Sequence, residues 1–405
     1  MPVKKYKISM VFLVAAAVFA LYVRSLVPDD MYMTNEGQIQ IKSLPMVTLE
    51  KGKGGISRAA NSPEKSLVYT AKLFGVLPLR TVNVSAQPAR VVSVAGTPFG
   101  VRMFSDGVMV VGFSDIATKQ GLRCPAKTAG LKLGDVIIKL DGEKITSNRE
   151  TEDYITKRGG NAVAVTFLRD GVQMSAVLTP VADEASGIYR TGMWVRDSSA
   201  GVGTMTFYDV QKGMFAGLGH GIKDTDTQKD IRLLSGEIVS VRITGCTPSS
   251  NGEAGELKGV FISDFPVGRV WANSTNGVYG SIFVSPADNM MQVASPGEIE
   301  TGPATILTTI EGTKPQEYDI VIEKVSLTGS NQNKNMVIRI TDEQLLKKTG
   351  GIVQGMSGSP IIQNGKLVGA VTHVFINQVN RGYGVFAQNM VFSMDNAQRV
   401  HSLAG

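Results

Sequence analysis

The chain of 405 residues has few of the residue types that build metal sites and disulfide frameworks, because it contains only two cysteines and three histidines. Cys124 and Cys246 lie far apart in the sequence and stand in no metal-ligand spacing. We therefore predict no bound metal and no organic cofactor. We favour two buried or free thiols, with one disulfide between them as the alternative in an oxidising compartment, and we expect no disulfide framework.

The chain also lacks a strong excess of charge. Its formal net charge is +6, and no run of five or more lysines and arginines occurs in it. A nucleic-acid-binding surface usually shows such a basic cluster, so we predict no nucleic-acid partner. Glycine is abundant, with 45 residues, and 16 prolines accompany it. So many turn-forming residues favour a β-rich architecture over a helical bundle.

The amino terminus carries a targeting pattern. Lys4, Lys5 and Lys7 precede an uncharged segment at residues 8–23, and Arg24 follows it. We predict a membrane-directed helix over residues 1–24, either a signal peptide or a signal anchor, with the rest of the chain outside the cytoplasm. A buried core helix is the alternative, but the segment has no polar face. Residues 25–90 follow, and we interpret them as a flexible stalk with short strands.

Residues 91–182 resemble a PDZ domain. The run AGLKLGDVIIKLDG at residues 129–142 is similar to the helix-to-strand core of that family. The resemblance implies that Phe99, Gly100 and Val101 form the loop that binds a peptide carboxylate. Residues 147–150 read as a capping box that opens a helix beside the groove. A PDZ domain adds a peptide strand to its open edge, so a peptide ligand is expected. Alternatively, the domain only holds its neighbour in place.

From residue 186 to the carboxyl terminus, short β-type runs alternate with glycine turns. Within them, residues 355–360 read GMSGSP, which resembles the nucleophile loop of chymotrypsin-like serine peptidases. A strand at 360–363, a type I′ turn at Asn364 and Gly365, and a returning strand at 366–371 follow. An α/β-hydrolase elbow would require glycine at Ser359 and a histidine after the nucleophile. A plain Gly/Ser turn is the remaining alternative.

A serine nucleophile needs an imidazole to remove its proton. Among the three histidines, His220 is the candidate base for Ser357, because Gly219 and Gly221 leave it little steric cover. His373 has apolar neighbours and fits a partly buried core position or the wall of a specificity pocket. His401 lies close to the carboxyl terminus and fits a surface role. Backbone N–H groups of Gly355 and Ser357 are the predicted oxyanion donors.

Two aspartates compete for the acid of the triad. Asp342 lies fifteen residues before Ser357, and it also fits the N-cap of a short helix. Asp264 falls 44 residues after His220 and 93 before Ser357, near the separations of chymotrypsin-like enzymes. Spacing alone favours Asp264.

Four motifs together resemble the stage IV sporulation protein B peptidases. They are WVRD at 194–197, GTMTF at 203–207, GHG at 219–221 and TGGIVQGMSGSP at 349–360. The similarity spans nearly the whole chain, and in that family a membrane signal, a PDZ domain and a serine peptidase follow one another in this order. The resemblance implies that His220 and Ser357 are catalytic, and it favours Asp342 over Asp264 as the acid.

The resemblance also implies a mainly β fold, with an amino-terminal membrane helix, a PDZ domain and a chymotrypsin-like double β-barrel over residues 186–405. The implied function is an extracytoplasmic serine endopeptidase, between the forespore and mother-cell membranes, that cleaves itself and a regulatory membrane protein. That cut would trigger intramembrane proteolysis and activate a late sigma factor. One alternative is an HtrA-like quality-control peptidase, although those enzymes place PDZ after the peptidase. Another is an inactive PDZ adaptor, against which the intact His220 and Ser357 argue.

Overall fold

The computed structural model describes residues 3–33, 41–58, 65–224, 226–229, 231, 233–283, 289–328 and 333–404. The side chains of residues 3–9, 53–58, 65, 66, 264 and 404 lie outside the described part. Strands dominate this part of the chain, which confirms the mainly β class expected from the many turn-forming residues. The chain forms an amino-terminal sheet, a PDZ unit and two β-barrels.

The amino-terminal unit is a four-stranded sheet joined to a helix. Its strands lie in the order β1-β4-β3-β2, and β1 runs parallel to β4. Apolar side chains such as Ile41, Val82 and Val84 form its buried core. Its elements are α1 (Val3–Leu26), β1 (Asp30–Met33), β2 (Val47–Arg58), β3 (Lys65–Leu73) and β4 (Leu77–Ala86).

The strands predicted within residues 25–90 are present, but they form a sheet where a flexible stalk was expected. The Gly/Lys run at 51–55 suggested mobility, but it lies in β2, which is hydrogen-bonded to β3 on either side of a register shift. The end of α1 also belongs to this unit, since Val23 and Val27 are buried in its core. Among the described residues, no helix is both long and apolar enough to cross a membrane.

The PDZ unit follows. Its core contains Val110, Ile137, Leu140 and Phe167, and Cys124 is buried among them. Both cysteines are free thiols in this structure. The predicted capping box is present at the start of the main helix. The elements are β5 (Val91–Val94), β6 (Pro98–Phe113), β7 (Ile116–Thr118), β8 (Gly121–Arg123), α2 (Pro125–Thr128), β9 (Val136–Leu140), β10 (Glu143–Lys144), α3 (Asn148–Arg158), β11 (Val163–Arg169), β12 (Val172–Leu178), β13 (Val181–Ala182) and β14 (Tyr189–Arg190).

The first barrel is a ring of six strands in the order β6-β17-β18-β19-β16-β15, which the pairing of β15 with β6 closes. Buried Phe99, Met103, Phe215 and Ile238 lie in its core. The strands after the PDZ unit are β15 (Met193–Asp209), β16 (Met214–Gly217), β17 (Leu233–Thr247), β18 (Glu256–Ser274), β19 (Gly277–Ile282) and β20 (Met290–Gln292).

Strand β6 belongs to two units, and this changes the predicted domain boundaries. Its second half pairs with β9 of the PDZ unit, where Val108 lies opposite Ile137. Its first half pairs with β15 and β17 of the barrel. A domain boundary between the predicted ranges 91–182 and 186–405 would therefore separate β6 from the other strands of the first barrel. The first barrel is built from residues on both sides of the PDZ unit.

The second barrel closes within one continuous stretch, in the order β21-β22-β23-β26-β25-β24. The hairpin after Ser357 is confirmed, since Asn364 and Gly365 both have positive φ and join β24 to β25. The elements are a 3₁₀ turn (Pro296–Glu298), β21 (Gly302–Thr308), β22 (Gln316–Val325), β23 (Met336–Ile340), α4 (Glu343–Thr349), β24 (Pro360–Gln363), β25 (Lys366–Phe375), β26 (Gln378–Phe386) and α5 (Ala387–Ala404).

Candidate active site and peptide groove

The nucleophile loop connects α4 to β24, and its backbone needs glycine. Gly358 has φ of 94°, in the left-handed region. A Cβ atom there would lie 2.0 Å from the carbonyl oxygen of Thr204 and 2.5 Å from the backbone nitrogen of Leu218. Neither backbone atom can move freely, so only glycine fits. The loop can therefore press directly against the first barrel.

Two threonines of β15 hold this loop. The Thr204 N–H donates to the Ser357 carbonyl at 3.0 Å, and the Thr204 hydroxyl donates to the Gly355 carbonyl at 2.7 Å. The Thr206 hydroxyl donates to the Gly358 carbonyl, also at 2.7 Å. The GTMTF motif thus serves as a set of donors for three carbonyl groups of the nucleophile loop.

Because the loop carbonyls face these donors, the N–H groups of the predicted oxyanion hole are left available. Among the described residues, the backbone N–H groups of Gly355 and Ser357 donate to no acceptor. Preorganised N–H groups without an internal partner can stabilise the oxyanion of an acyl-transfer reaction. The arrangement suits the predicted role of these two residues.

His220 reaches the same region from the first barrel, directly after β16. A Cβ atom on its neighbour Gly219 would lie 3.0 Å from Cγ2 of Thr372, so the histidine turn packs against β25. The hydroxyl of Ser357 donates to the carbonyl oxygen of the same Thr372 at 2.8 Å. The candidate base and the candidate nucleophile therefore converge on one residue of the second barrel. A rotation of the serine side chain would turn its hydroxyl away from this carbonyl.

The imidazole of His220 has a defined tautomer. Its Nδ1 lies 2.8 Å from the carbonyl oxygen of Gly221, which can only accept, so Nδ1 carries the proton and Nε2 is left as the base. Burial lowers the pKa of His220 below its ordinary value of 6.5; the bond to Gly221 opposes this shift, and the charge of Lys223 adds to it. The imidazole is therefore neutral near pH 7, as a general base requires.

His373 is a neighbour of the catalytic imidazole. The two ring centroids lie 4.8 Å apart, with the ring planes tilted by 35°. Burial, followed by the charges of His220, Lys334 and Lys223, lowers the pKa of His373 to about 4. Its Nδ1 is buried without a hydrogen-bond partner among the described residues. His401, in contrast, stacks on Trp271, with 4.3 Å between the ring centroids.

Asp342 caps a helix in this structure. Its carboxylate accepts a hydrogen bond from the Leu345 N–H at 2.8 Å, at the start of α4. Ile338 and Val374 both pair with Gly382, so β23 and β25 are two strands apart. Nδ1 of His220 faces the Gly221 carbonyl, so the role of Asp342 as the acid of the triad stays a prediction.

The rival acid, Asp264, lies in strand β18. Its side chain lies outside the described part of the chain. Among the described residues, no carboxylate contributes to the pKa shift of His220. The acid of a full triad therefore remains a prediction, while the serine and the histidine are brought together.

The predicted carboxylate-binding loop at Phe99, Gly100 and Val101 is wrong in this structure. These residues lie in β6, opposite residues 201–203 of β15 on one side and 238–240 of β17 on the other. Phe99 and Val101 are buried in the barrel core. Strand pairing on both sides leaves this segment no open edge for a peptide.

A groove lies elsewhere on the PDZ unit, between α3 and the first residues of β15. Its volume is about 260 Å³, and its lining includes Ile155 of α3 together with Arg190, Met193 and Val195. Sequence reasoning missed these residues because the WVRD motif served only as a family signature. Gly192, with φ of 77° just before the strand, is the local signal that marks a backbone turn there.

Two family models match the chain. A model of the SpoIVB peptidase S55 family matches residues 187–391, and a PDZ domain model matches residues 100–179. The first match covers half of the chain and includes Ser357 and His220, as well as β15. The second covers α3 and the core of the PDZ unit.

Individual relatives match smaller shares. A provisionally named zinc metalloprotease of Bartonella henselae is 35% identical over 79 residues, which are 20% of this chain and 22% of that protein. The chain thus spans about a fifth of that relative. The PDZ domain of the SdrC-like protein from Listeria monocytogenes is 25% identical, covers 22% of this chain and 87% of its own, and has a TM-score of 0.19. The HtrA-type protease AlgW with a decapeptide is 10% identical over 50% of this chain and 55% of that one, with a TM-score of 0.30.

The family match and the site agree on the chemistry. The matched region contains a nucleophile loop with free N–H groups and a neutral histidine beside the same strand. These parts serve acyl transfer from a peptide to a serine. The chain therefore belongs to the SpoIVB peptidase S55 family of serine peptidases.

Proposed function

We propose that the protein is an extracytoplasmic endopeptidase that cleaves itself and a regulatory membrane protein during spore formation. The observation that carries the peptidase chemistry is the convergence on Thr372 of Ser357 and of Gly219, the residue before His220, from two different barrels. The more specific substrates rest on the resemblance of the four motifs to the sporulation peptidases. Release of an intramembrane protease and activation of a late sigma factor would follow from the second cut.

In the proposed reaction, the Ser357 hydroxyl rotates from Thr372 toward Nε2 of His220. His220 takes the proton, the serine oxygen bonds to the peptide carbonyl carbon, and the oxyanion accepts hydrogen bonds from Gly355 and Ser357. His220 then gives the proton to the leaving amine. Water attacks the acyl-serine in the same way, which restores the free hydroxyl. Loss of one oxyanion donor would typically raise the barrier by about 3 kcal/mol.

We also propose that the amino terminus directs the protein to a membrane, so that residues after Arg24 face outside the cytoplasm. Three lysines precede the apolar segment. The described part of α1 exposes several large apolar side chains, among them Phe12, Leu13 and Leu21. Such a surface is unfavourable in water and would be covered by lipid. The family resemblance supports the space between the two spore membranes.

Amino-terminal sequencing of the purified full-length protein tests self-cleavage. Wild type is expected to yield a shortened form with a new amino terminus, whereas Ser357→Ala stays at full length. The regulatory role is tested by adding each protein to a candidate membrane substrate and, in parallel, to unfolded casein. Cleavage of the membrane protein alone supports the proposal. If Ser357→Ala were cut at the same site as wild type, self-cleavage by Ser357 would be contradicted. If the wild-type enzyme cleaved casein in preference to the membrane protein, an HtrA-like quality-control peptidase would be favoured.

A further inference from the structure

The loop at residues 248–255 connects β17 to β18 of the first barrel and contacts the nucleophile loop. Ser249 stands near its start and is only 7% exposed. The Ser249 hydroxyl donates to the Ile352 carbonyl at 2.8 Å and accepts from the Gly255 N–H at 2.7 Å. One buried hydroxyl thus bridges the end of its own loop and the segment that leads to Ser357.

The TGG run at 349–351 fits closely against the same serine. The Ser249 N–H donates to the Thr349 carbonyl at 2.8 Å. Gly350 has φ of 69°, and a Cβ atom there would lie 2.2 Å from the Ser249 carbonyl oxygen. Glycine allows the two backbones to approach this closely. Ser249 therefore contacts the nucleophile loop through its backbone as well as its hydroxyl.

Two further hydrogen bonds reach Gln354, the residue before Gly355. The Gln354 N–H donates to the Gly255 carbonyl at 2.8 Å, and the Leu257 N–H donates to the Gln354 carbonyl at 2.9 Å. The first barrel thus holds both polar groups of the Gln354 backbone. Gly255 takes part twice, because its own N–H donates to Ser249.

The Gln354 carbonyl and the Gly355 N–H belong to one peptide unit. In a planar trans peptide these two groups point in opposite directions, and the described residues contain no cis peptide bond. The hydrogen bond from Leu257 to the carbonyl therefore fixes the direction of the Gly355 N–H, one of the two predicted oxyanion donors. On the other side, the Thr204 hydroxyl holds the Gly355 carbonyl. Rotation of this peptide unit would turn the donor away from the oxyanion.

We propose that Ser249 is a positioning residue for the oxyanion hole, because its hydroxyl holds the 248–255 loop against Gln354 and so directs the Gly355 N–H toward the substrate. This inference rests on the peptidase chemistry of the site. Without the hydroxyl, two buried backbone groups lose their shared partner, and the loop relaxes. Loss of a whole oxyanion donor typically lowers kcat by a factor of about 10² to 10³. A donor that has lost its fixed direction should therefore cost about ten-fold or more.

The variant Ser249→Ala removes the hydroxyl and adds no bulk. Full-length wild type and variant react with a range of fluorophosphonate concentrations, which separates the maximal labelling rate of Ser357 from the half-saturating concentration. We expect the maximal rate to fall about ten-fold to 100-fold, while the half-saturating concentration stays close to that of wild type. The pH midpoint of labelling should also stay, because His220 is untouched. A wild-type maximal rate, or a loss confined to the half-saturating concentration, would overturn the proposal.

Ser105→Ala is the matched control. Ser105 is also a buried serine, 4% exposed, and its hydroxyl donates to the Gly107 carbonyl, outside the nucleophile loop. This control should lose stability as Ser249→Ala does, which urea titration measures, but keep the labelling rate. Equal losses of rate in the two variants would mean that any buried serine hydroxyl has this effect, and would refute a specific role of Ser249.

Hydrogen exchange followed by mass spectrometry gives a readout that does not depend on activity. In Ser249→Ala, peptides that cover residues 248–257 and 350–355 should exchange faster than in wild type, whereas Ser105→Ala should leave them unchanged. Ser249→Cys keeps a weaker hydrogen-bonding group and should give intermediate exchange and rate. It also replaces the alanine variant if that variant does not fold. Unchanged exchange in both segments would overturn the proposal, whereas a wild-type protein that is not labelled would count against the peptidase function.

Discussion

The two barrels differ in how the chain builds them. The second barrel closes from residues 302–386 alone, in strands that follow one another closely. The first barrel takes the start of β6 from before the PDZ unit and its other five strands from residues 193–282. Its closure therefore depends on contacts between segments about a hundred residues apart. The PDZ unit is inserted into this barrel, which is a closer relation than two domains on a linker.

The catalytic residues are divided between these two barrels. Ser357 stands on a loop of the second barrel, and His220 on a loop of the first. Thr204 and Gly358 join the two at the nucleophile loop. A barrel that is assembled locally supplies the nucleophile, while the barrel that contains the PDZ insertion supplies the base.

The largest effect is expected at the junction of the barrels. Gly358→Ala places a Cβ atom against two backbone atoms of the first barrel, and the residue has a positive φ. We expect a loss of roughly 3 kcal/mol or more of stability and of nearly all labelling. Gly365→Ala is the control, because that glycine also has positive φ, at 71°, but its Cβ would meet nothing within 4 Å. It should cost only about 1 kcal/mol. If urea titration gave similar unfolding free energies for Gly358→Ala and Gly365→Ala, the close contact between Gly358 and the first barrel would be contradicted.

The pH dependence of Ser357 labelling distinguishes a buried His220 from a solvent-exposed histidine. Because the pKa of His220 lies below 6.5, the base is still mostly neutral at pH 6.5. The rate of Ser357 labelling should therefore exceed half of its plateau at that pH and fall only at more acidic values. A half-maximal rate above pH 7 would show that the imidazole is solvated.

Stability should respond to the same pair of imidazoles. In the unfolded chain, His373 has its ordinary pKa of 6.5, whereas in the folded protein its pKa is about 4. The unfolded state therefore binds more protons between these values, and the free energy of unfolding should decrease as pH falls through this window. His373→Phe should flatten that decrease. The free energy of unfolding is measured by urea titration at several pH values. If its dependence on pH is the same in His373→Phe as in wild type, His373 is not the cause of the decrease.

The smallest effect is expected within the second barrel, at Asp342. Asp342→Ala removes the cap of α4 and should cost about 1 kcal/mol, while Asp342→Asn keeps a capping side chain and should be nearly neutral. Both should keep most of the labelling rate, because the recorded partner of Asp342 is the Leu345 N–H and that of His220 Nδ1 is the Gly221 carbonyl. A loss by orders of magnitude in the folded Asn variant would instead support the triad role that the family resemblance implies.

Local patterns in the sequence predicted much of the second barrel and of the site. The nucleophile loop, the turn at Asn364 and the capping box of α3 each depend on residues within a few positions of one another. His220 could be found because only three histidines were available as partners for Ser357. These features need no knowledge of distant strands.

The pairing of β6 could not be predicted in this way. Whether residues 98–105 turn into a carboxylate loop or continue as a barrel strand is decided by β15 and β17, about 100 and 135 residues further along the chain. The Gly/Lys run at 51–55 misled for a related reason, since β3 pairs with β2 at Lys51 before the register shift and at Ile56 after it. The position of Asp342 depends on barrel geometry, which sequence separation does not report.

The most direct test of the central claim is mass spectrometry of the fluorophosphonate adduct, with labelling rates for wild type and two histidine variants. The account predicts a single adduct on Ser357. His220→Ala should lower the rate by a factor of about 10⁴ or more. His401→Ala, which removes an imidazole stacked on Trp271, should leave the rate unchanged. An adduct on another serine, or equal rates in wild type and His220→Ala, would contradict a catalytic pair shared between the two barrels.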